Sequence, residues 1–293
     1  MAGSRFLRLC LVLLAAGRVV STMVEGESVV STTSKRNLGS RIVGGTKTDP
    51  KRHPYFTYME ITFQSGWWGT YSKFCGGTLI AKDVVLTAAH CLTSESSVDE
   101  VLTIQAYVNS TTTYYNQYEY SRVASQFLVH ASYDASAYAN DIALVFLDEP
   151  VEKVTLAKIT KNGSAPVVGK AVTAIGLGLL QRPDEVDATY LMQVSMKTLR
   201  GSDCSNLYGA SYFRNLNQIC AGSTKNTCDG DYGGPLLLKG TTASKDLVAG
   251  ITSHGYSEGC GQKPTVYTRV SKYVRWIETG VCDYSDYPTT ACP

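Results

Sequence analysis

The sequence predicts an all-β protein. Three observations point there: short runs rich in Val, Ile, Thr, Tyr and Leu, turn residues between them, and a single helical pattern near the C-terminus. The runs cover residues 55–63, 77–80, 84–88, 102–108 and 142–147, then 171–175, 189–196, 235–238, 247–252 and 265–270. Each alternates in polarity or is short and wholly apolar, as half-buried and fully buried strands do. Short strands at such spacing argue for a sandwich or a barrel, and the spacing leaves both open. Residues 271–279 put Tyr273, Trp276 and Ile277 on one helical face, a stripe that would pack on the strands. No repeat or heptad is visible.

Composition narrows the function classes. A hydrophobic content of 44% supports a real core, and a charged fraction of 18% argues against general disorder. Residues 1–41 hold six of the 27 basic and two of the 25 acidic residues, so the rest of the chain has a net charge of −2. That is not the footprint of a nucleic-acid binder. Residues 1–20 read as a secretory signal peptide: Arg5 and Arg8, then the apolar run 9–16, then small residues, with a cut expected between Ala16 and Ser21. The run is too short to span a bilayer, and no membrane association is expected. Residues 21–41 are Ser-, Thr- and Val-rich without apolar periodicity, and read as a solvated propeptide-like segment.

Of nine cysteines, Cys10 falls in the signal segment and eight remain. Eight can pair completely in an oxidising compartment, and spacing alone does not choose among ~105 connectivities. There is no Cys-x-x-Cys pair and no suitable His cluster, so no metal site is expected. No cofactor motif is present either. Asn109-Ser110-Thr111 and Asn162-Gly163-Ser164 are glycosylation sequons, expected on surface loops.

Four motifs carry the chemistry: Arg41-Ile42-Val43-Gly44-Gly45, Ala88-Ala89-His90-Cys91, Asn140-Asp141-Ile142-Ala143-Leu144 and Cys228-Asp229-Gly230-Asp231-Tyr232-Gly233-Gly234-Pro235. Together they resemble the trypsin/chymotrypsin-type serine proteases over nearly all of residues 42–280. The resemblance implies two antiparallel six-stranded β-barrels with a C-terminal helix. The N-terminal barrel would cover 42–160, the C-terminal barrel and helix 161–280, and a Cys-containing tail 281–293. It implies the disulfides Cys75–Cys91, Cys204–Cys220 and Cys228–Cys260, which leaves Cys282 to pair with Cys292. It also implies cleavage after Arg41, which would free an Ile42 ammonium to pair with Asp231; a buried charge needs such a partner.

In that family a histidine is general base, an aspartate orients it and a serine attacks the scissile carbonyl. His90 and Asp141 match the first two. The serine is replaced by Tyr232. A phenol oxygen lies far further from the backbone than a seryl oxygen, and the ring takes the space of the scissile bond. Loss of a triad member leaves a residual acceleration of only roughly 10³–10⁴ over water. The expectation is therefore a protein without peptidase activity, with His90 and Asp141 vestigial. The former specificity pocket is altered as well: Asn226 stands at its base, Ser253-His254-Gly255 replaces Ser-Trp-Gly, and Thr265 follows Pro264 where the family usually has Gly. These changes read as drift or as a new binding surface.

Among non-catalytic relatives, the chain resembles the secreted glucanase inhibitor proteins of oomycete plant pathogens such as Phytophthora, from signal segment to tail. That resemblance implies a protein partner, the host plant's endo-β-1,3-glucanase, and a location in the plant apoplast. Binding would suppress release of wall-glucan elicitors. The alternatives are an active secreted trypsin-like peptidase and a glycan- or surface-binding protein. Trp67, Trp68 and Tyr71, in a Gly-flanked loop, are the candidate partner-binding residues. Residues 113–120 are dense in tyrosine, and their alternation fits a barrel strand as well as an interface.

Overall fold

The computed structural model describes residues 42, 44–66, 69–94, 99–114, 119–163, 166–178, 189–209, 213, 216–222, 224–255, 261–288 and 292. Two sheets carry it. The first is a closed barrel of β2 (Phe56–Ser65), β3 (Gly69–Ala81), β4 (Val84–Thr87), β5 (Glu100–Val108), β6 (Tyr120–Val129) and β7 (Ala143–Leu147), in the order β2-β3-β4-β7-β6-β5. The second is an eight-stranded sheet. It uses β1 (Thr46–Lys47), β8 (Lys158–Ile159), β9 (Ala171–Gly176), β10 (Met192–Lys197), β11 (Gln218–Ala221), β12 (Pro235–Leu238), β13 (Leu247–His254) and β14 (Thr265–Arg269). Its path is β1-β10-β9-β12-β13-β14-β11, with β8 added to β13 in parallel. The all-β class, the paired sheets and the C-terminal helix match the sequence reading. The second sheet differs in detail: it curves as a half-barrel with eight strands, where a closed six-stranded barrel was expected.

Period-two patterning builds the barrel. Along β2, Met59, Ile61 and Phe63 point inward and are fully buried. The wholly apolar run of β7 is buried on both faces for a specific reason. α2 (Val274–Tyr284) lies over its outer side: Gly280 sits where a Cβ would stand 2.8 Å from Leu144 Cδ1, and Tyr284 packs on Phe146 at 5.5 Å between centroids. A side chain at 280 would have to displace the tips of Leu144 and Leu128. The helix runs past its predicted end, so Cys282 lies in its last turn and the Cys282–Cys292 disulfide ties the tail to it. Cys75–Cys91 and Cys204–Cys220 are also formed. Cys228 is disulfide-bonded, and its expected partner Cys260 lies outside the described residues. Disulfides persist in oxidising compartments, which places the folded chain outside the reducing cytosol.

A polar staple joins the chain before β2 to the chain before β13. Buried Asp246 accepts from Arg52 Nη1 at 2.5 Å and Nη2 at 2.8 Å, from Gly240 N at 2.7 Å and from the Tyr55 hydroxyl. His53 Nδ1 lies 3.0 Å from that hydroxyl. Burial would raise the Asp246 carboxyl, but contacts from His53, Arg52 and Tyr55 outweigh it and hold the group well below the usual range. Burial lowers His53 despite its acidic neighbour.

Removing one partner would strand buried charge. Asp246→Ala is expected to lower unfolding stability by about 3–5 kcal/mol at pH 7, read from urea unfolding. His53 takes a proton more readily unfolded than folded, so its contribution is lost as pH falls below about 6.5. Taking the pH from 7 to 5 should cost His53→Gln less urea-midpoint stability than it costs the wild type, so the difference between the two proteins isolates the His53 contribution.

Candidate functional site

The site lies where the two sheets meet. His90 sits in a 3₁₀ turn, Ala89–Cys91, directly after β4 and pinned by Cys75–Cys91. Asp141 precedes β7 and is fully buried. The preceding Asn140 has φ 55°, a left-handed conformation that Asn tolerates. Its side chain donates to Ser132 O at 2.7 Å and accepts from Tyr273 Oη at 2.9 Å, which holds the turn. Asp141 Oδ1 accepts from the His90 backbone N–H at 2.9 Å, and Oδ2 pairs with His90 Nδ1 at 2.8 Å. Ser253 Oγ donates to the same Oδ2 at 2.6 Å. Burial pushes the Asp141 carboxyl up, but the charge and hydrogen bonds of His90 and Ser253 outweigh it and keep the group below its ordinary value. His90 and Asp141 thus stand as a general base and its orienting carboxylate do.

Tyr232 occupies the neighbouring turn. Gly230 and Gly233 have φ 85° and 76°, a backbone that only glycine adopts freely. The turn is anchored by Gly76 N donating to Tyr232 O at 2.7 Å and Gly233 N donating to Thr252 O at 2.9 Å. The Tyr232 ring stands edge-on to His90, 5.2 Å between centroids and 84° between planes. Its hydroxyl donates to Asp229 Oδ1 at 2.7 Å, so the oxygen is carried to the carboxylate three residues back. His90 also meets the Tyr138 ring, edge-on at 5.9 Å. Tyr138 stacks on His254 at 4.8 Å and 25°. Its backbone has φ 48°, strained for an aromatic residue, and Gln218 Nε2 holds its carbonyl at 3.3 Å.

The residues expected at the specificity pocket bond to one another. Asn226 is buried; its Oδ1 accepts from Gly261 N at 2.7 Å and its Nδ2 donates to Lys263 O. Thr227 Oγ1 donates to Thr265 Oγ1 at 3.1 Å. His254 is buried, with Nδ1 3.1 Å from Ser253 Oγ, and Gly255 approaches Thr265. The structure therefore brings together His90, Asp141, Tyr232, Ser253 and His254, with Asn226 and Thr265 in an adjoining network. Asp229, Tyr138 and Gln218 belong to the site although the sequence did not single them out. An acid three residues before Tyr232 was the readable signal for Asp229.

The other predicted residues fall elsewhere. Trp67, Trp68 and Arg41 lie outside the described residues. Tyr71 stacks on Phe63 at 5.1 Å, and its hydroxyl bonds Ser94 Oγ at 2.9 Å and Asp99 Oδ2 at 3.2 Å. Its ring and hydroxyl therefore contribute to the barrel, and the residue is half-buried. Asn109 is half-buried with φ 60°, and its Nδ2 donates to Glu119 Oε2 at 2.5 Å. Asn162 is exposed. Cys75, His90 and Cys91 cluster as metal ligands would, but both cysteines are spent in their disulfide.

Ile42 is fully buried in the core of the second sheet with Val172, Val194 and Tyr267, at φ 50°. A β-branched residue there is strained. Asp231 is fully buried and accepts from Cys228 N and Gly178 N, each at 2.9 Å. Burial pushes its carboxyl up to about 7 against those hydrogen bonds. A carboxyl raised on folding binds more protons folded than unfolded between about pH 4 and 7, so its contribution to stability is lost as pH rises through that window. In the uncleaved chain, Asp231→Asn should flatten this part of the pH profile, measured as urea midpoints from pH 5 to 8.

Comparison with known proteins agrees with this architecture. Residues 42–277 match the family described as Trypsin. Brachyurin of Leptuca pugilator is 33% identical over 242 residues, covering 81% of this chain and 97% of that protein. Chymotrypsin-like elastase family member 1 of Canis lupus familiaris is 33% identical over 264 residues, covering 84% and 95%. Trypsin Blo t 3 of Blomia tropicalis is 32% identical over 248 residues, covering 81% and 85%. With both sheets, the His90–Asp141 pair and this match in hand, the chain belongs to the trypsin family.

Proposed function

We propose that this chain is a proteolytically silent, secreted member of its family that works by binding. One observation supports this above the others: the Tyr232 ring lies against His90 while its hydroxyl is held by Asp229. A nucleophile must sit within hydrogen-bond reach of its base. Here the oxygen at the nucleophile position is directed elsewhere, and the ring fills the approach to His90.

The partner we propose is a host plant endo-β-1,3-glucanase met in the apoplast, with suppression of wall-glucan elicitor release as the outcome. The resemblance to oomycete glucanase inhibitor proteins supports that choice. A scaffold that keeps its core and loses its nucleophile is suited to recognition by surface loops, the part of a fold that carries specificity.

Two measurements test this. A fluorophosphonate probe should leave the wild-type chain unlabelled, both intact and after cleavage at Arg41, whereas Tyr232→Ser should gain label through His90. Labelling of the wild type would overturn the silent reading. Titration of the mature protein against purified glucanase with laminarin as substrate should give saturable inhibition. A folded sample that inhibits none of several isoforms would remove the proposed partner.

A further inference from the structure

A pocket lies away from the His90–Asp141 site and shares no residue with it. Its volume is about 370 Å³. Four parts of the chain line it: Ile80 at the end of β3, residues 156–161 including β8, Leu247 of β13, and Ile277, Glu278 and Val281 of α2. The walls are fixed. Ala157 N donates to Leu79 O at 3.0 Å and Thr160 N to Val248 O at 3.0 Å, so the 156–161 segment is fastened at both ends. Gly280 holds α2 tight against β7 on the helix's far side.

The lining is mostly aliphatic, yet the charges on it are not balanced. Lys161 pairs with Glu278 at 2.5 Å across the rim. Lys158 also lines the pocket and has no acidic partner among the described residues. A mostly apolar cavity with a few charged groups is the usual form of a small-molecule site, 370 Å³ falls in the usual size range, and Lys158 is the lining charge left over once Lys161 and Glu278 have paired. At the ~30 Å³ that a water-sized group occupies in a liquid, it has room for about a dozen methylene-sized groups.

We infer that this pocket binds a monoanionic amphiphile, an unbranched apolar body of about eight to twelve carbons with one carboxylate-like head. The apolar body lies along Leu156, Ile159, Leu247 and Ile277, and the head meets the Lys158 ammonium at the rim. A neutral molecule of the same length would leave that ammonium unmatched. A dianionic head would meet Glu278.

Decanoate and decanol are the probes, with binding to the whole folded protein followed by calorimetry in the absence of any glucanase. Decanoate should bind saturably at one site, about threefold more tightly than decanol, the scale of an ion pair at an exposed lysine. Lys158→Glu, a change at an exposed side chain, should weaken decanoate at least tenfold and leave decanol within twofold. Ile159→Trp, which fills the cavity, should abolish both. Absence of saturable decanoate binding overturns the inference. So does equal binding of the two probes, or decanoate affinity unchanged in Lys158→Glu. None of these results bears on the silent active site, which is tested separately.

Discussion

The buried Asp141 carboxylate is the interaction on which the rest depends. It receives the backbone and side chain of His90 from the first sheet and the Ser253 hydroxyl from the second. Its own carbonyl accepts from Thr268 Oγ1 of β14 at 2.7 Å. The Ser253 and Thr268 contacts to this residue therefore also fasten the two sheets together. A carboxylate this deep is tolerated only while its donors stay in place. That gives a reason for His90, Asp141 and Ser253 to persist together whatever happens at position 232. Their presence is a property of the fold as much as of any reaction.

Around that centre, aromatic rings pack on the two histidines. Tyr232 and Tyr138 both meet His90 edge-on, and Tyr138 continues as a stack onto His254. Edge-on and offset aromatic pairs of this kind stabilise by about 0.5–1.5 kcal/mol each beyond their buried area. Asp229 secures the phenol of Tyr232, and Gln218 secures the strained backbone of Tyr138. The same side chains that would obstruct a substrate thus hold the junction.

The sequence disclosed the parts of this that are local. β2, β4, β7, β9, β12 and β13 were visible because buried strands write themselves as apolar alternation or apolar runs. β6 was missed because its residues are mostly exposed or half-buried, so no clean face exists. The first half of β3 was missed because its burial alternates weakly beside glycines. The short helix α1 (Gly201–Tyr208) buries only Cys204 and so carries almost no stripe. At the site, motifs placed His90, Asp141 and Tyr232, since their spacing is set by turns and strand ends. They could not place Tyr138 on His254, nor Arg52 on Asp246 across 194 residues, because such pairs are decided by the closed fold.

The packing of α2 over β7 has a consequence for synthesis. The outer face of β7, with Leu144 and Phe146, is made midway along the chain, and the helix that covers it comes almost last. While the ribosome works through the second sheet, the finished first barrel carries an uncovered aliphatic stripe. Exposed apolar surface of that kind is what chaperones engage and what aggregation begins from. The C-terminal segment is in that sense the closing piece of the N-terminal half. A nascent chain cut short before Val274 would carry a barrel whose stripe nothing covers.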